Sequence, residues 1–85
     1  IFIVDDESLA RDRLKRLIEP IPDYTFVGEA ENGEIAIQNI PKINPDIVLL
    51  DIRMPGEDGL SVAEKLSQLA RPPAIIFCTA FRPSV

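Results

Sequence analysis

A single cysteine, Cys78, leaves nothing for a disulfide to form with inside the chain, so cross-links cannot be what holds it together. Cys78 ends the apolar run Ala74-Ile75-Ile76-Phe77-Cys78, where a small buried hydrophobe is expected rather than a reactive thiol. Aromatic residues are also scarce, with one tyrosine, four phenylalanines and no tryptophan. A core of Ile, Leu, Val and Ala is therefore expected, and the 46% hydrophobic content argues against disorder. No apolar stretch approaches the roughly 20 residues of a membrane span, and no signal-peptide pattern opens the chain. A cytoplasmic location without membrane contact is the expectation. Basic clusters are missing too: 14 acidic residues against 9 basic ones give a net charge of -5, so this stretch is not expected to bind nucleic acid. No repeat, low-complexity tract or Gly-rich phosphate loop is visible. With 85 residues there is room for one small domain, residues 1–85. The chain opens inside a strand without a Met and stops soon after another, as a fragment of something longer would.

Its most telling stretch is Ile47-Val48-Leu49-Leu50-Asp51-Ile52-Arg53-Met54-Pro55-Gly56. The uninterrupted apolar run reads as a parallel strand covered on both faces. Asp51 then stands where the buried strand meets water, and a carboxylate beside a dry core is costly unless something pairs with it. Ile1-Phe2-Ile3-Val4 is a second such run, and it too ends in carboxylates, Asp5, Asp6 and Glu7.

Between these runs the pattern alternates. Ala10, Leu14, Leu17, Ile18 and Ile21 predict a helix that Ser8 or Asp6 would cap, with Arg11, Arg13 and Lys15 on other faces and Pro20 and Pro22 closing it. Residues 24–30 read as a more polar, outer strand, and Asn32-Gly33 as a turn. Ala36, Ile37, Ile40 and Ile43 predict a second helix that Pro41 should kink or shorten and Asn44-Pro45 should end. A third helix follows Gly56-Glu57-Asp58-Gly59, its inner stripe Leu60, Ala63, Leu66 and Leu69 or Ala70, before Pro72-Pro73 and a fourth strand, Ala74 to Cys78.

Strands alternating with helices imply an α/β, flavodoxin-like, doubly wound sheet with all strand carboxyl ends on one edge. The polar second strand belongs outside, which predicts the order 2-1-3-4. A crevice then lies between the first and third strands. Asp5, Asp6, Asp51 and Thr79 converge there. Like charges so close repel unless a divalent cation lies between them, and an oxygen-only site suits Mg2+. A carboxylate in such a site can attack phosphorus, and Asp51 is the best placed of the three, with Thr79 or the backbone N–H groups of the following turn available to a phosphoryl oxygen. A lone Asp after a strand would be a helix cap; the convergence favours a site. Arg53 is read as an exposed loop residue whose carbonyl matters, and Gly33 and Gly59 as backbone permissiveness.

Val4-Asp5-Asp6-Glu7, the run from Leu49 through Asp51 to Gly59, and Thr79-Ala80, in this order and spacing, resemble the receiver domain of bacterial two-component response regulators. Asp-Asp-Glu-Ser-Leu-Ala-Arg together with Phe77-Cys78-Thr79-Ala80-Phe81 is similar to the branch whose receivers are joined to a LytTR-type DNA-binding domain. The resemblance implies that Asp51 accepts a phosphoryl group from a sensor histidine kinase or small phosphodonor. It implies that Asp5, Asp6, Asp51 and the Arg53 backbone carbonyl hold Mg2+, and that Thr79 and Ala80 respond to the phosphoryl group. It further implies a self-catalysed switch controlling a transcription-regulating output domain, not a turnover enzyme.

A full receiver continues into a fifth strand carrying a Lys, a switch aromatic and a last helix, none of which this sequence contains. That leaves the fourth strand as an open edge, residues 74–79, through which two copies are expected to associate. The alternative of another class is a degenerate receiver acting only as a protein-interaction module. A haloacid-dehalogenase-type phosphatase would want a second Asp where Arg53 stands, and a flavin binder would want a Ser/Thr/Gly-rich loop where Asp-Asp-Glu stands.

Overall fold

Uninterrupted apolar runs become the two central strands because both their faces are covered. In the computed structural model, which describes residues 1–54 and 57–78, β1 (Phe2–Val4) pairs in parallel with β3 (Ile47–Asp51), Val4 opposite Leu50. β1 also pairs with β2 (Gly28–Ala30), and β3 with β6 (Ala74–Cys78), both in parallel. The order β2-β1-β3-β6 is the one expected from the sequence. Helices α1 (Ser8–Ile18), α2 (Gly33–Ile43) and α3 (Gly59–Ser67) make the crossovers. Alternate residues of a strand face opposite ways. Phe2, Val4, Val48 and Leu50 form one core with Ala36 and Ile40 of α2 and Val62 and Leu66 of α3. Ile3, fully buried, faces the other way, towards the side on which α1 packs against β1.

Several local expectations are corrected. The second strand is only Gly28–Ala30; residues 24–27 are exposed, and Val27 adds one bond to the Ile1 carbonyl at 2.9 Å. Neither Ser8 nor Asp6 caps α1. The N-cap position is Glu7 and makes no side-chain cap bond, while Ser8 is already helical. Along α1, which ends at Ile18, that residue is buried but Leu17 is exposed, as is Ile21 beyond the helix, and Arg11 is half-buried rather than turned away.

Asn32-Gly33 is a helix start: the Asn32 side chain accepts the Ile35 N–H at 2.8 Å. Pro41 does not shorten α2. It lies in the last turn, so its missing N–H costs one bond near an end that is already short of donors. The helix runs on to Ile43 and ends at Asn44, whose left-handed backbone (φ 55) brings its N–H to the Ile40 carbonyl at 2.7 Å.

In α3 the inner stripe is Gly59, Val62 and Leu66, with Ala63, and Leu69 beyond the helix end, half-buried, whereas Leu60 is 55% exposed. An antiparallel pair absent from the sequence reading, β4 (Arg53–Met54) with β5 (Glu57–Asp58), joins β3 to α3. β6 is the sheet edge among the described residues, with Ile76 51% and Phe77 41% exposed. Cys78 is half-buried, not fully enclosed as expected; among the described residues β6 has a partner strand on one side only.

Candidate functional site

Parallel pairing of β1 with β3 carries the chain from Val4 and Leu50, which are opposite one another, directly into Asp5 and Asp51. Both carboxylates are buried, at 6% and 4% exposure. Asp5, Asp6 and Asp51 each bring one carboxylate oxygen to within 4.8 Å of the others. The sequence-predicted cluster is therefore assembled. Thr79 and Ala80, predicted beside it, lie outside the described residues.

Each acidic residue is held differently. Asp5 Oδ1 accepts the Glu7 N–H at 2.9 Å, and its own N–H donates to the Ala30 carbonyl of β2 at 3.1 Å. Asp51 Oδ1 accepts the Arg53 N–H at 3.1 Å. Such two-residue side-chain-to-backbone bonds are what Asp offers a chain leaving a strand. Asp6 Oδ1 is buried and takes no hydrogen bond from any described residue. A buried, unpaired carboxylate oxygen is expensive, and here it belongs to the same cluster as two other carboxylates.

Electrostatics reflect the crowding. Burial, then Asp51, then Asp6 push the Asp5 carboxyl up from its ordinary 3.8 to about 6, against a lowering influence from Arg11. Burial, with smaller contributions from Asp5 and Asp51, raises the Cys78 thiol, so it stays protonated rather than becoming a nucleophile. An oxygen-only cluster of this kind, with an unpaired acceptor inside it, is chemically suited to a hard divalent cation.

Arg53 is exposed, as expected. The Gly59 N–H donates to the Ile52 carbonyl at 3.0 Å, which makes 52 and 59 the hydrogen-bonded pair of the short ladder. Arg53, opposite Asp58, is then at the alternate position, whose N–H and C=O point away from β5. That side is where its N–H meets Asp51.

Two contributors escaped the sequence reading. Arg11 donates through Nη1 to the Asp5 carbonyl at 2.7 Å and through Nε to Glu29 Oε1 at 2.8 Å. Nothing local links residues 11 and 29, which meet only once β2 lies beside β1. Gly59 is more than permissive backbone, because what it supplies is space. A Cβ there would meet the Asp51 carbonyl oxygen at 2.4 Å and Ile52 Cα at 2.7 Å. Asp58 caps α3 just before it, accepting the Leu60 N–H at 2.9 Å.

The family model for the response regulator receiver domain matches residues 1–84. The chain is 56% identical over 81 residues to the positive alginate biosynthesis regulatory protein of Pseudomonas aeruginosa, covering 94% of this chain and 33% of that protein. It is 43% identical over 81 residues to the sensory transduction protein LytT of Bacillus anthracis, covering 95% and 33% respectively. It thus spans about a third of the length of these relatives. Among solved structures, a LuxR-family two-component response regulator from an Aurantimonas strain superimposes with a TM-score of 0.87 at 31% identity, over 95% of this chain and 58% of that one.

Proposed function

The chain belongs to the response regulator receiver domain family, and from that premise we propose that it is a phosphoacceptor, residues 1–85 being part of one receiver domain, with Asp51 as the acceptor. The observation that carries the reading is the acidic cluster, above all the buried Asp6 Oδ1 with no described partner inside it. Asp5, Asp6 and Asp51, with the outward-facing Arg53 carbonyl, would hold Mg2+, whose charge would offset that of the phosphoryl oxygens.

An Asp51 carboxylate oxygen attacks the phosphorus of a sensor kinase phosphohistidine or an acyl phosphate. The new O–P bond forms as the P–N or P–O bond to the donor breaks, and the leaving group keeps the electron pair. The Arg53 N–H orients the Asp51 carboxylate by donating to Oδ1 at 3.1 Å. Thr79 and Ala80 would respond to the transferred group. No separate substrate is turned over; the acylphosphate is the signal. It would bias the surface of an output domain, DNA-binding by analogy with LytTR-type regulators, in the cytoplasm. The complete acidic cluster favours this over a receiver that serves only as an interaction module.

Association of two copies through the β6 edge belongs to the same proposal. It is supported by the place of β6 at the sheet edge among the described residues and by exposed Ile76 and Phe77. Ile76→Lys should abolish any concentration-dependent dimer seen by sedimentation, and a wild type that stays monomeric at 100-fold dilution steps from millimolar removes this part.

The decisive measurement is intact mass after incubation with acetyl phosphate and Mg2+. One phosphoryl group should add to the wild type and none to Asp51→Asn. A phosphoryl that survives Asp51→Asn would overturn the assignment of the acceptor.

A further inference from the structure

Asp5 is tied on every polar side of its main chain. Its N–H bonds to Ala30 of β2 at 3.1 Å, and its carbonyl accepts from Arg11 Nη1 at 2.7 Å. The same guanidinium reaches β2 through Nε, at 2.8 Å from Glu29 Oε1. Arg11 is only 13% exposed along its side chain, and Glu29 is itself opposite Ile3 in the β1–β2 ladder. A closed ring results, running from the Asp5 N–H through β2 to Glu29, across Arg11 and back to the Asp5 carbonyl. Lys15 also pairs with Glu29, at 2.5 Å, and anchors its other oxygen.

Mutual repulsion of the clustered carboxylates drives the segment after β1 away from β3, and residues 5–7 lie beyond the end of the ladder that could resist it. We propose that Arg11 is a positioning residue for the acidic site, strapping the Asp5 peptide to Glu29 so that the Asp5 carboxylate stays within ligand distance of Asp51. The proposal rests on the reading of the cluster as a Mg2+ site.

Arg11 is also a cation close to that site, and charge and geometry act with opposite signs. As a charge alone it opposes a second cation, so removing it would tighten Mg2+ binding. As a strap it supports binding, and losing it would weaken binding even when the charge is kept. Lys cannot span both partners, because it lacks the planar fork that serves two acceptors at once. Glu29→Asp keeps its charge too, and withdraws the anchor by one methylene.

The test is a Mg2+ titration of the full chain followed by amide NMR shifts, with circular dichroism to verify folding. Arg11→Lys and Glu29→Asp should each raise the Mg2+ dissociation constant about tenfold, the scale of losing a residue that orients a metal ligand. The double variant should be no weaker than Arg11→Lys alone, because one ring is broken once. Folded variants that both bind within twofold of wild type would overturn the proposal, as would tighter binding by Arg11→Gln. Should Arg11→Lys fail to fold, Glu29→Asp decides alone. A wild type with no Mg2+ response would instead overturn the metal-site reading itself.

Discussion

Gly59 rests against the backbone of Asp51: a Cβ at 59 would be 2.4 Å from the Asp51 carbonyl oxygen, so the first turn of α3 is pressed directly onto the end of β3. The neighbour that would have to give way is backbone, not a flexible side chain.

Gly59→Ala should therefore displace either α3 or the Asp51 peptide. We expect a loss of about 1–3 kcal/mol, as for overpacking a tight core, read by urea denaturation. The rate of phosphorylation by acetyl phosphate should fall in the same variant. Full stability with an unchanged rate would show that the contact is easily relieved.

Asp51→Asn should stabilise the metal-free protein at neutral pH. It removes one of the like charges acting on Asp5, while the amide oxygen can still accept the Arg53 N–H. Two like charges 4 Å apart repel by about 1 kcal/mol even in bulk water. In a domain of this size such a gain raises the thermal midpoint by roughly 4–8 °C. Calorimetry in EDTA measures it, and a lowered midpoint would contradict it.

The pH dependence has a definite sign. Asp5 ionises at about 6 in the fold against an ordinary 3.8, so between these values the folded state holds more protons than the unfolded one. The contribution of Asp5 to stability therefore falls as pH rises through this window and levels off above it. Mg2+ should reverse the trend. Its stabilising effect should be full at pH 7 and vanish towards pH 4, as Asp5 takes up its proton. Thermal melts at matched ionic strength, with and without Mg2+, check both limbs.

Asn32→Ala removes the side-chain acceptor of the Ile35 N–H at the start of α2. It should cost about 1 kcal/mol, seen as a lower urea midpoint with an unchanged slope. A change in slope would point to a wider loss of structure than one cap.

Legibility followed the range of the signal. The runs before Asp5 and Asp51 announced two central strands because a strand covered on both faces tolerates no polar interruption. The polar second strand, placed outside them, then sufficed for the order β2-β1-β3-β6. In α3, by contrast, both Leu60 and Val62 are apolar, and helical spacing alone cannot say which is buried. Gly59 against Asp51 sets the rotation of the helix, and positions 62 and 66 follow it inward while Leu60 turns to solvent.

The amino-acid sequence alone determined the alternation of strands and helices, the arrival of Asp5, Asp6 and Asp51 at one sheet edge, and the receiver family they mark. These follow from period, punctuation and motif, all properties of neighbouring residues. Only the tertiary structure decided that Arg11 reaches Glu29 across 18 positions of sequence, that Asp6 Oδ1 is left buried without a described partner, and that α3 touches Asp51 through a glycine. The first of those relations depends on the parallel pairing of β1 with β2 and the last on the antiparallel β4–β5 pair, and both pairings are set by packing rather than by the pattern of neighbouring residues.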